Sequence, residues 1–225
     1  MSPARRKPLA EPQPLNTRTL HPPPTIAKQL PLPPPFAPAG CAGGEPAPAA
    51  STIFTIGHSN HDAADFLDLL RGHGLETVVD VRSAPYSRYA PHFNRDTMAA
   101  MLTAAGIGYV WAGDALGGRP NDPTCYRDGV VRAGQVDYGE VARREWYQQG
   151  VTLLVARAAG SATVVMCSEE DPRRCHRHHL IASSLQARDV VVRHIRRDGS
   201  LEDAAERDAP PTPGNEQLAL LEVDA

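Results

Sequence analysis

Short apolar segments rich in β-branched residues alternate along the chain with longer segments whose apolar residues recur at helical spacing. The short segments predict five β-strands, which lie within residues 51–57, 76–83, 107–114, 161–169 and 189–197. The longer segments predict helices within residues 61–74, 95–106, 137–158 and 171–188. The third of these is either one long helix or a helix pair that is broken near Gly150.

This order of strands and helices is typical of an α/β fold. We predict a single three-layer domain with a mainly parallel five-stranded sheet and helices on both faces. Ligands bind such sheets at the carboxyl ends of the strands. Polar residues concentrate at four of those ends, in residues 57–60 (GHSN), 80–88 (DVRSAPYSR), 112–119 (AGDALGGR) and 167–171 (CSEED). We therefore expect one site where these four segments meet.

The two ends of the chain differ in composition from its middle. Fourteen of the 22 prolines lie in residues 1–50, which predicts a disordered Pro-rich tail. Acidic residues dominate residues 201–225, which predicts an acidic flexible tail and leaves residues 51–200 for the α/β domain. The N-terminal segment lacks the apolar stretch of a secretory signal, and no window has the length of a membrane span. We therefore expect a cytoplasmic protein that does not contact membranes.

The junction of the fourth strand and the fourth helix has an unusual composition, VVMCSEEDPRRCHRHHLIA in residues 164–182. Cys167 and Glu169 are two residues apart at the strand end, so their side chains should point to the same side. The Asp-Pro pair that follows is typical of a helix N-cap and first helical residue. Cys175 and His176 are therefore expected in the first helical turn, where the helix dipole lowers the pKa of a thiol.

Zinc binding is one interpretation of this segment. The spacing Cys-x7-Cys-His is not a standard zinc spacing. A helical wheel built on the apolar residues that follow places Arg177 on the buried face and points Cys175 away from it. We therefore predict no metal and no cofactor, and keep zinc as an alternative.

Thiol chemistry is a second interpretation. Cys167 or Cys175 could act as a nucleophile, with His176 or His58 as its general base. An ordinary strand-to-helix turn is the plain alternative, in which Cys167 is a small buried apolar residue. The sequence leaves these alternatives open.

An anion pocket is a third interpretation. Guanidinium groups fit oxyanions, and Arg82, Arg88 and Arg177 all lie near the predicted strand ends. Glu169 or Asp80 could then act as the acid or base, or as a hydrogen-bond partner. An Arg–Asp bridge that fixes a loop would equally explain the pairing of Asp80 with Arg82.

Four further residues at the strand ends are candidates for substrate binding. Ser59 follows the first strand, and Ser87 precedes an arginine as a hydrogen-bond donor for an oxyanion. Gly117 and Gly118 allow a ligand to approach the backbone closely, although paired glycines often only turn the chain.

The motifs IGHSN, DVRSAPYSR, LGGR and CSEEDPRRCHR together resemble the bacterial domain-of-unknown-function 488 family over about residues 52–200. The resemblance implies a compact α/β domain and no settled reaction. The motif positions are Gly57, His58, Ser59, Asp80, Arg82, Pro85, Ser87, Arg88, Leu116, Gly117, Gly118, Cys167, Glu169, Cys175, His176 and Arg177.

The C-terminal tail carries a short apolar cluster, QLALL, at residues 217–221. It resembles the peptides by which bacterial repair and replication proteins dock on the sliding clamp. The residues that match are Gln217, Leu218, Leu220 and Leu221, with Leu221 in place of the usual aromatic residue. A terminal anchor on a flexible tail is a sensible docking device.

The convergence of these residues favours an enzyme with a Cys/Glu/His/Arg site at the carboxyl ends of the strands. Its expected substrate is an anionic small molecule or a nucleic acid. A non-catalytic adaptor that binds nucleic acid or a metal, and that is recruited through its tails, is the first alternative. A rhodanese-like sulfur carrier, with the sulfur on Cys167 or Cys175, is the second.

Overall fold

The computed structural model describes residues 52–204 and shows an α/β domain in that span. Its strands are β1 (Thr52–Gly57), β2 (Thr77–Asp80), β3 (Gly108–Trp111), β4 (Thr163–Cys167), β5 (Val191–Ile195) and β6 (Leu201–Asp203). Its helices are α1 (Ala63–Gly72), α2 (Arg95–Ala104), α3 (Gly113–Leu116), α4 (Tyr138–Arg143), α5 (Glu145–Ala158) and α6 (Ser183–Gln186). The Pro-rich tail and the docking peptide at 217–221 lie outside the described residues.

The six strands form one sheet in the order β3-β2-β4-β1-β5-β6. The first five pair in parallel, whereas β6 runs antiparallel to β5. The predicted α/β class and mainly parallel sheet are confirmed, but the number of five strands is wrong. The missed strand has three residues, Leu-Glu-Asp, which follow a turn at Gly199 (φ +81°). A short charged edge strand has the same composition as an acidic tail, so its sequence pattern did not reveal it.

Helices cover both faces of the sheet, as predicted for a three-layer domain. On one face the buried residues of α1 and α2, such as Phe66 and Met98, pack against Val78 and Val164. On the other face Leu116, Val151 and the segment before α6 pack against the opposite sides of the same strands. Every residue of β2 and of β4 is buried, which explains the continuous apolar composition of these two strands.

The strand order places the end of β4 in a crevice. The connections that leave β1 and β2 pass through the α1–α2 face, whereas the connection that leaves β4 passes through the other face. β4 lies between β2 and β1 in the sheet. The loop that follows β4 therefore leaves the sheet on the opposite face from the loops that follow its two neighbours. Such a topological switch point is where ligands bind to open parallel sheets.

The helical segment 137–158 is a pair of helices, and its break lies at Arg144. The backbone of Arg144 is extended (φ −73°, ψ 134°), so α4 ends there and α5 begins at the next residue. The predicted break near Gly150 is wrong, because α5 continues through that glycine. Gly150 instead allows α3 to approach, since a Cβ atom there would lie 3.0 Å from the Cβ of Ala115.

The predicted helix at 171–188 is not regular. It starts with a 3-10 turn at Pro172–Arg174, where the Asp171 carboxylate accepts a hydrogen bond from the Arg173 N–H, so Asp171 caps a turn instead of an α-helix. A π-helical segment, Arg177–Ala182, then leads into α6. None of the helices within residues 52–204 has the length and apolar composition needed to cross a bilayer.

Gly57 is the residue at which β1 meets the loop that follows β4. A Cβ atom on Gly57 would lie 1.8 Å from the carbonyl oxygen of Glu169, which is main chain and cannot rotate away. We predict that Gly57→Ala destabilises the domain by about 1–3 kcal/mol, the usual cost of overpacking. Urea denaturation followed by circular dichroism measures this change.

Gly72→Ala is the matched control, because a Cβ atom at that helical glycine would meet no atom within 4 Å. It should leave the stability unchanged or raise it by about 0.5–1 kcal/mol. Equal effects of the two substitutions would contradict the packing argument.

Candidate active site

A pocket of about 330 Å³ opens at the carboxyl end of β4. Six of the predicted candidate residues line it: Arg82, Gly118, Cys167, Glu169, Cys175 and His176. They come from four separate segments of the chain, which the strand order brings together. The remaining seven candidates do not line the pocket and are described below.

Two thiols and one imidazole meet at the floor of the pocket. The Nδ1 atom of His176 lies 3.7 Å from the Sγ of Cys167 and 3.8 Å from the Sγ of Cys175. The three side-chain atoms all lie within 4.8 Å of one another, and all three residues are buried. In residues 52–204 this is the one group of three or more His, Cys, Asp or Glu side chains close enough to hold a metal ion together.

Cys175 points into the pocket, contrary to the helical-wheel prediction. Its backbone is extended (φ −130°, ψ 144°), because Cys175 lies between the 3-10 turn and the helical residues that begin with His176. A wheel that extends the helix backwards therefore assigns Cys175 to the wrong side. This removes one of the two arguments against zinc, and the unusual ligand spacing remains as the other.

The two thiols differ in acidity. The hydrogen bond from the Cys175 thiol is the main cause that lowers the pKa of Cys167, and it outweighs burial, which raises that pKa. The N–H groups of Ser168 and Glu169 and the charge of Arg177 lower it further. The pKa of Cys175 is raised to about 12 because this thiol donates to Cys167 and is buried. Of the two thiols, Cys167 is therefore the more acidic.

His176 is held in place by the glycine pair that follows α3. A Cβ atom on Gly118 would lie 2.6 Å from the Cγ atom of the His176 ring, so only glycine fits there. Gly117 packs in the same way against the carbonyl of Gly113 and the hydroxyl of Ser83. These glycines therefore serve the packing of the pocket wall. The Nε2 atom of His176 is buried and has no hydrogen-bond partner among the described residues.

A buried ion pair lies beside the thiols. Arg82 donates from Nε to Oδ1 of Asp80 (2.9 Å) and from Nη2 to Oδ2 of Asp80 (2.6 Å), and both side chains are almost fully buried. The phenol of Tyr109 also donates to Asp80 (2.7 Å), and burial followed by the charge of Asp80 raises the pKa of that phenol. Burial would lower the pKa of Arg82, but its bonds to Asp80 outweigh that effect. Of the two interpretations of Asp80 and Arg82, the Arg–Asp bridge describes what the structure shows.

His58 lies on the other side of this ion pair. Its Nε2 atom is 3.1 Å from Nη1 of Arg82, and its Nδ1 atom is 3.0 Å from the carbonyl oxygen of Ser59. Burial and then the charge of Arg82 lower the pKa of His58 to about 4. A neutral imidazole with Nδ1–H donating and Nε2 accepting satisfies both contacts. Neither nitrogen is left to act as a base for a thiol.

Arg177 is fully buried, as the wheel predicted, but it does not line the pocket. Its Nη1 and Nη2 groups donate to the main-chain carbonyls of Glu169 and Glu170. The guanidinium therefore ties the loop after β4 to the following helix. The structure gives Arg177 a structural role in place of the predicted contact with a substrate.

The three remaining candidates lie on surface loops. Ser59 has a positive φ of 45°, and its N–H donates to the carbonyl of Ser168 (2.9 Å). The hydroxyl of Ser87 accepts the N–H groups of Tyr89 and Ala90, both at 3.2 Å. Arg88 is exposed and stacks on Tyr89, with its Cζ 4.7 Å from the ring centre. None of the three is among the residues that line the pocket.

Six residues that line the pocket are not among the predicted candidates: Ser83, Ala84, Arg119, Tyr138, Ser168 and Arg174. Three of them carry ionisable side chains, namely Arg119, Tyr138 and Arg174. Arg119 and Arg174 are exposed and belong to the motifs LGGR and CSEEDPRRCHR, so those motifs could have indicated them. Tyr138 opens α4, where nothing in the local pattern marks it. Burial, followed by the proximity of both thiols, raises the pKa of its phenol.

A comparison with protein-family models gives one match. The model described as Domain of unknown function DUF488 matches residues 62–183, which is more than half of the chain. The chain belongs to the DUF488 family. No curated protein and no solved structure matches the sequence.

The DUF488 match contains both thiols, His176, the Asp80–Arg82 pair and the glycine pair. It begins after β1 and ends before β5, so it is shorter than the resemblance over residues 52–200. The structure shows that β1, which lies outside the match, is the strand between β4 and β5 in the sheet. Gly57 and His58 thus contact the DUF488 site from outside the matched span.

The ion pair should dominate the stability of this DUF488 domain. Asp80→Asn keeps the shape of the side chain but leaves the buried charge of Arg82 uncompensated. We expect a loss on the order of 3 kcal/mol in the free energy of unfolding, measured by urea denaturation. Asp68→Asn is the control, because its partner Arg71 and Asp68 itself are both more than half exposed, and it should change little. A loss for Asp80→Asn as small as that of the control would contradict a tightly coupled pair.

His58 should make the stability depend on pH. The folded state has a pKa of about 4 at His58 and the unfolded chain one of about 6.5, so the unfolded state binds more protons between these values. Stability should therefore fall as the pH decreases from 6.5 to 4, by at most about 1.4 kcal/mol per pH unit from this residue. His58→Gln should flatten the slope of the unfolding free energy against pH. The control His179→Gln, at an exposed position, should retain it.

Proposed function

We propose that this chain is an enzyme whose nucleophile is the thiolate of Cys167 and whose substrate is anionic. The observation that carries the proposal is the position of Cys167 at the floor of an open pocket that also presents guanidinium groups. Side chains that line the same pocket serve as the acid–base partners of the thiolate. Three features of the site support this assignment.

The surroundings of Cys167 favour a thiolate. Cys167 ends β4, and the N–H groups of the next two residues hydrogen-bond to its sulfur. The thiol of Cys175 donates to it, and the imidazole of His176 lies 3.7 Å away. Thiolates are the reactive form of cysteine, and donors of this kind are how proteins stabilise them.

The cations of the pocket favour an anionic substrate. Arg119 and Arg174 are exposed at the pocket wall, where Glu169 is an exposed carboxylate. The third guanidinium, that of Arg82, is already neutralised by Asp80. The two exposed arginines therefore give the mouth of the pocket a net positive charge. Guanidinium groups bind phosphate and carboxylate oxyanions well.

Proton transfer has three candidate groups. His176 contacts both sulfur atoms through Nδ1, so it can exchange a proton with either thiol. Tyr138 and Glu169 also line the pocket. A phenol with a raised pKa stays protonated at neutral pH and can donate a proton or a hydrogen bond.

Alkylation by iodoacetamide tests the nucleophile. We expect Cys167 to react in the full-length protein with a midpoint below the ordinary thiol pKa, and Cys175 to react only at much higher pH. Peptide mapping by mass spectrometry assigns the modified residue. Cys167→Ser should abolish the fast reaction. Cys175→Ala should move the midpoint upward, because it removes the thiol that donates to Cys167.

Two further measurements decide between this function and its alternatives. Inorganic phosphate should slow the alkylation of Cys167, and Arg174→Gln should weaken that protection. Arg173→Gln is the matched control, since Arg173 is exposed one residue earlier but does not line the pocket. One equivalent of bound metal per chain, with a Cys167 that reacts only after chelation, would overturn the proposal and favour a metal-binding protein.

A further inference from the structure

The second thiol of the pocket lowers the pKa of Cys167 but does not itself attack in the nucleophilic step proposed above. Its sulfur lies within 4.8 Å of the Cys167 sulfur, and both residues line the same open pocket. A disulfide has an S–S bond of about 2.05 Å, so the two sulfur atoms need to approach by less than about 3 Å. We propose that Cys167 and Cys175 are a redox couple that reduces a hydroperoxide and closes an internal disulfide. This rests on the proposed nucleophile Cys167 but not on the anionic substrate.

The chemistry divides into two balanced steps. In the first, the Cys167 thiolate attacks the distal oxygen of the hydroperoxide, the O–O bond breaks, and the other oxygen leaves as an alcohol or water after taking one proton. Cys167 is then a sulfenic acid. In the second, the Cys175 sulfur attacks the Cys167 sulfur, the S–O bond breaks, and water leaves. A thiol reductant must then reduce the disulfide.

The positions of the two cysteines give them different parts in these steps. Cys167 ends β4 in the open pocket, where the N–H groups of the following loop lower the pKa of its thiol. Cys175 keeps its proton until the sulfenic acid forms. The Nδ1 atom of His176, 3.8 Å from the Cys175 sulfur, is placed to accept that proton as Cys175 attacks. Cys175 is therefore the resolving thiol.

The third cysteine of the described span is excluded from this chemistry by its position. Cys125 is fully buried in the core on the α5 face and does not line the pocket. It is a free cysteine whose pKa is raised, chiefly by burial. The couple is thus specific to the two thiols that share the pocket, and Cys125 offers a matched control.

The test uses the full-length, reduced protein with one equivalent of hydrogen peroxide, followed by alkylation and mass spectrometry. We expect the number of free thiols to fall from four to two, with the loss of the mass of two hydrogen atoms. Peptide mapping should show Cys167 joined to Cys175, and dithiothreitol should restore all four thiols. The fourth cysteine, Cys41, lies in the Pro-rich N-terminal segment. Cys125→Ala and Cys41→Ser should form the same disulfide.

Two variants separate the steps. Cys175→Ser should stop at a sulfenic acid on Cys167 that dimedone traps, and Cys167→Ser should leave Cys175 reduced. Wild-type mapping needs neither variant to fold. If Cys167 is alkylated as a thiolate but peroxide yields no Cys167–Cys175 disulfide, the redox couple is refuted and the proposed nucleophile stands. If Cys167 resists both reagents, both proposals fail. Oxidation that dithiothreitol cannot reverse also refutes the couple.

Discussion

The site depends on how closely the loop after β4 approaches the end of β1. Gly57 makes the approach sterically feasible, because any side chain there would overlap the carbonyl of Glu169. Hydrogen bonds from the N–H groups of His58 and Ser59 to the carbonyls of Cys167 and Ser168 then continue the strand pairing. Arg177 holds the next part of the loop from the other side, through its carbonyls. While Arg177 binds the carbonyls of Glu169 and Glu170, the N–H groups of Ser168 and Glu169 hydrogen-bond to the Cys167 sulfur.

The buried ion pair supplies the second fixed element of the site. Asp80 and Arg82 form a bidentate pair, and Tyr109, His58 and the carbonyl of Phe93 make further hydrogen bonds to it. A guanidinium so engaged cannot move towards a ligand, but its charge still acts on the neighbouring thiolate. In the proposed reaction, the immobile Arg82 would lie beside the nucleophile, and the exposed Arg119 and Arg174 would meet the substrate.

Sequence periodicity was sufficient to predict the class of the fold, because five strands are apolar and well separated by helical segments. The rule that ligands bind at the carboxyl ends of strands then placed Cys167, Glu169 and Gly118 near one another. The sequence-based prediction failed for residues whose orientation or partner depends on local backbone geometry. A 3-10 turn rotated Cys175 inward, and Arg177 binds main-chain carbonyls, a partner that no residue pattern encodes. Tyr138 comes from a helix distant in sequence, so only the three-dimensional structure could place it.

The asymmetry between the two thiols follows from their contact and not from burial. Cys167 and Cys175 are similarly buried, yet their pKa values move in opposite directions, because one sulfur donates the hydrogen bond that the other accepts. Cys167 is therefore the more acidic of the two thiols, and its sulfur is the one that the loop N–H groups also contact. In the proposed redox couple, this difference gives the attack to Cys167 and the resolution to Cys175.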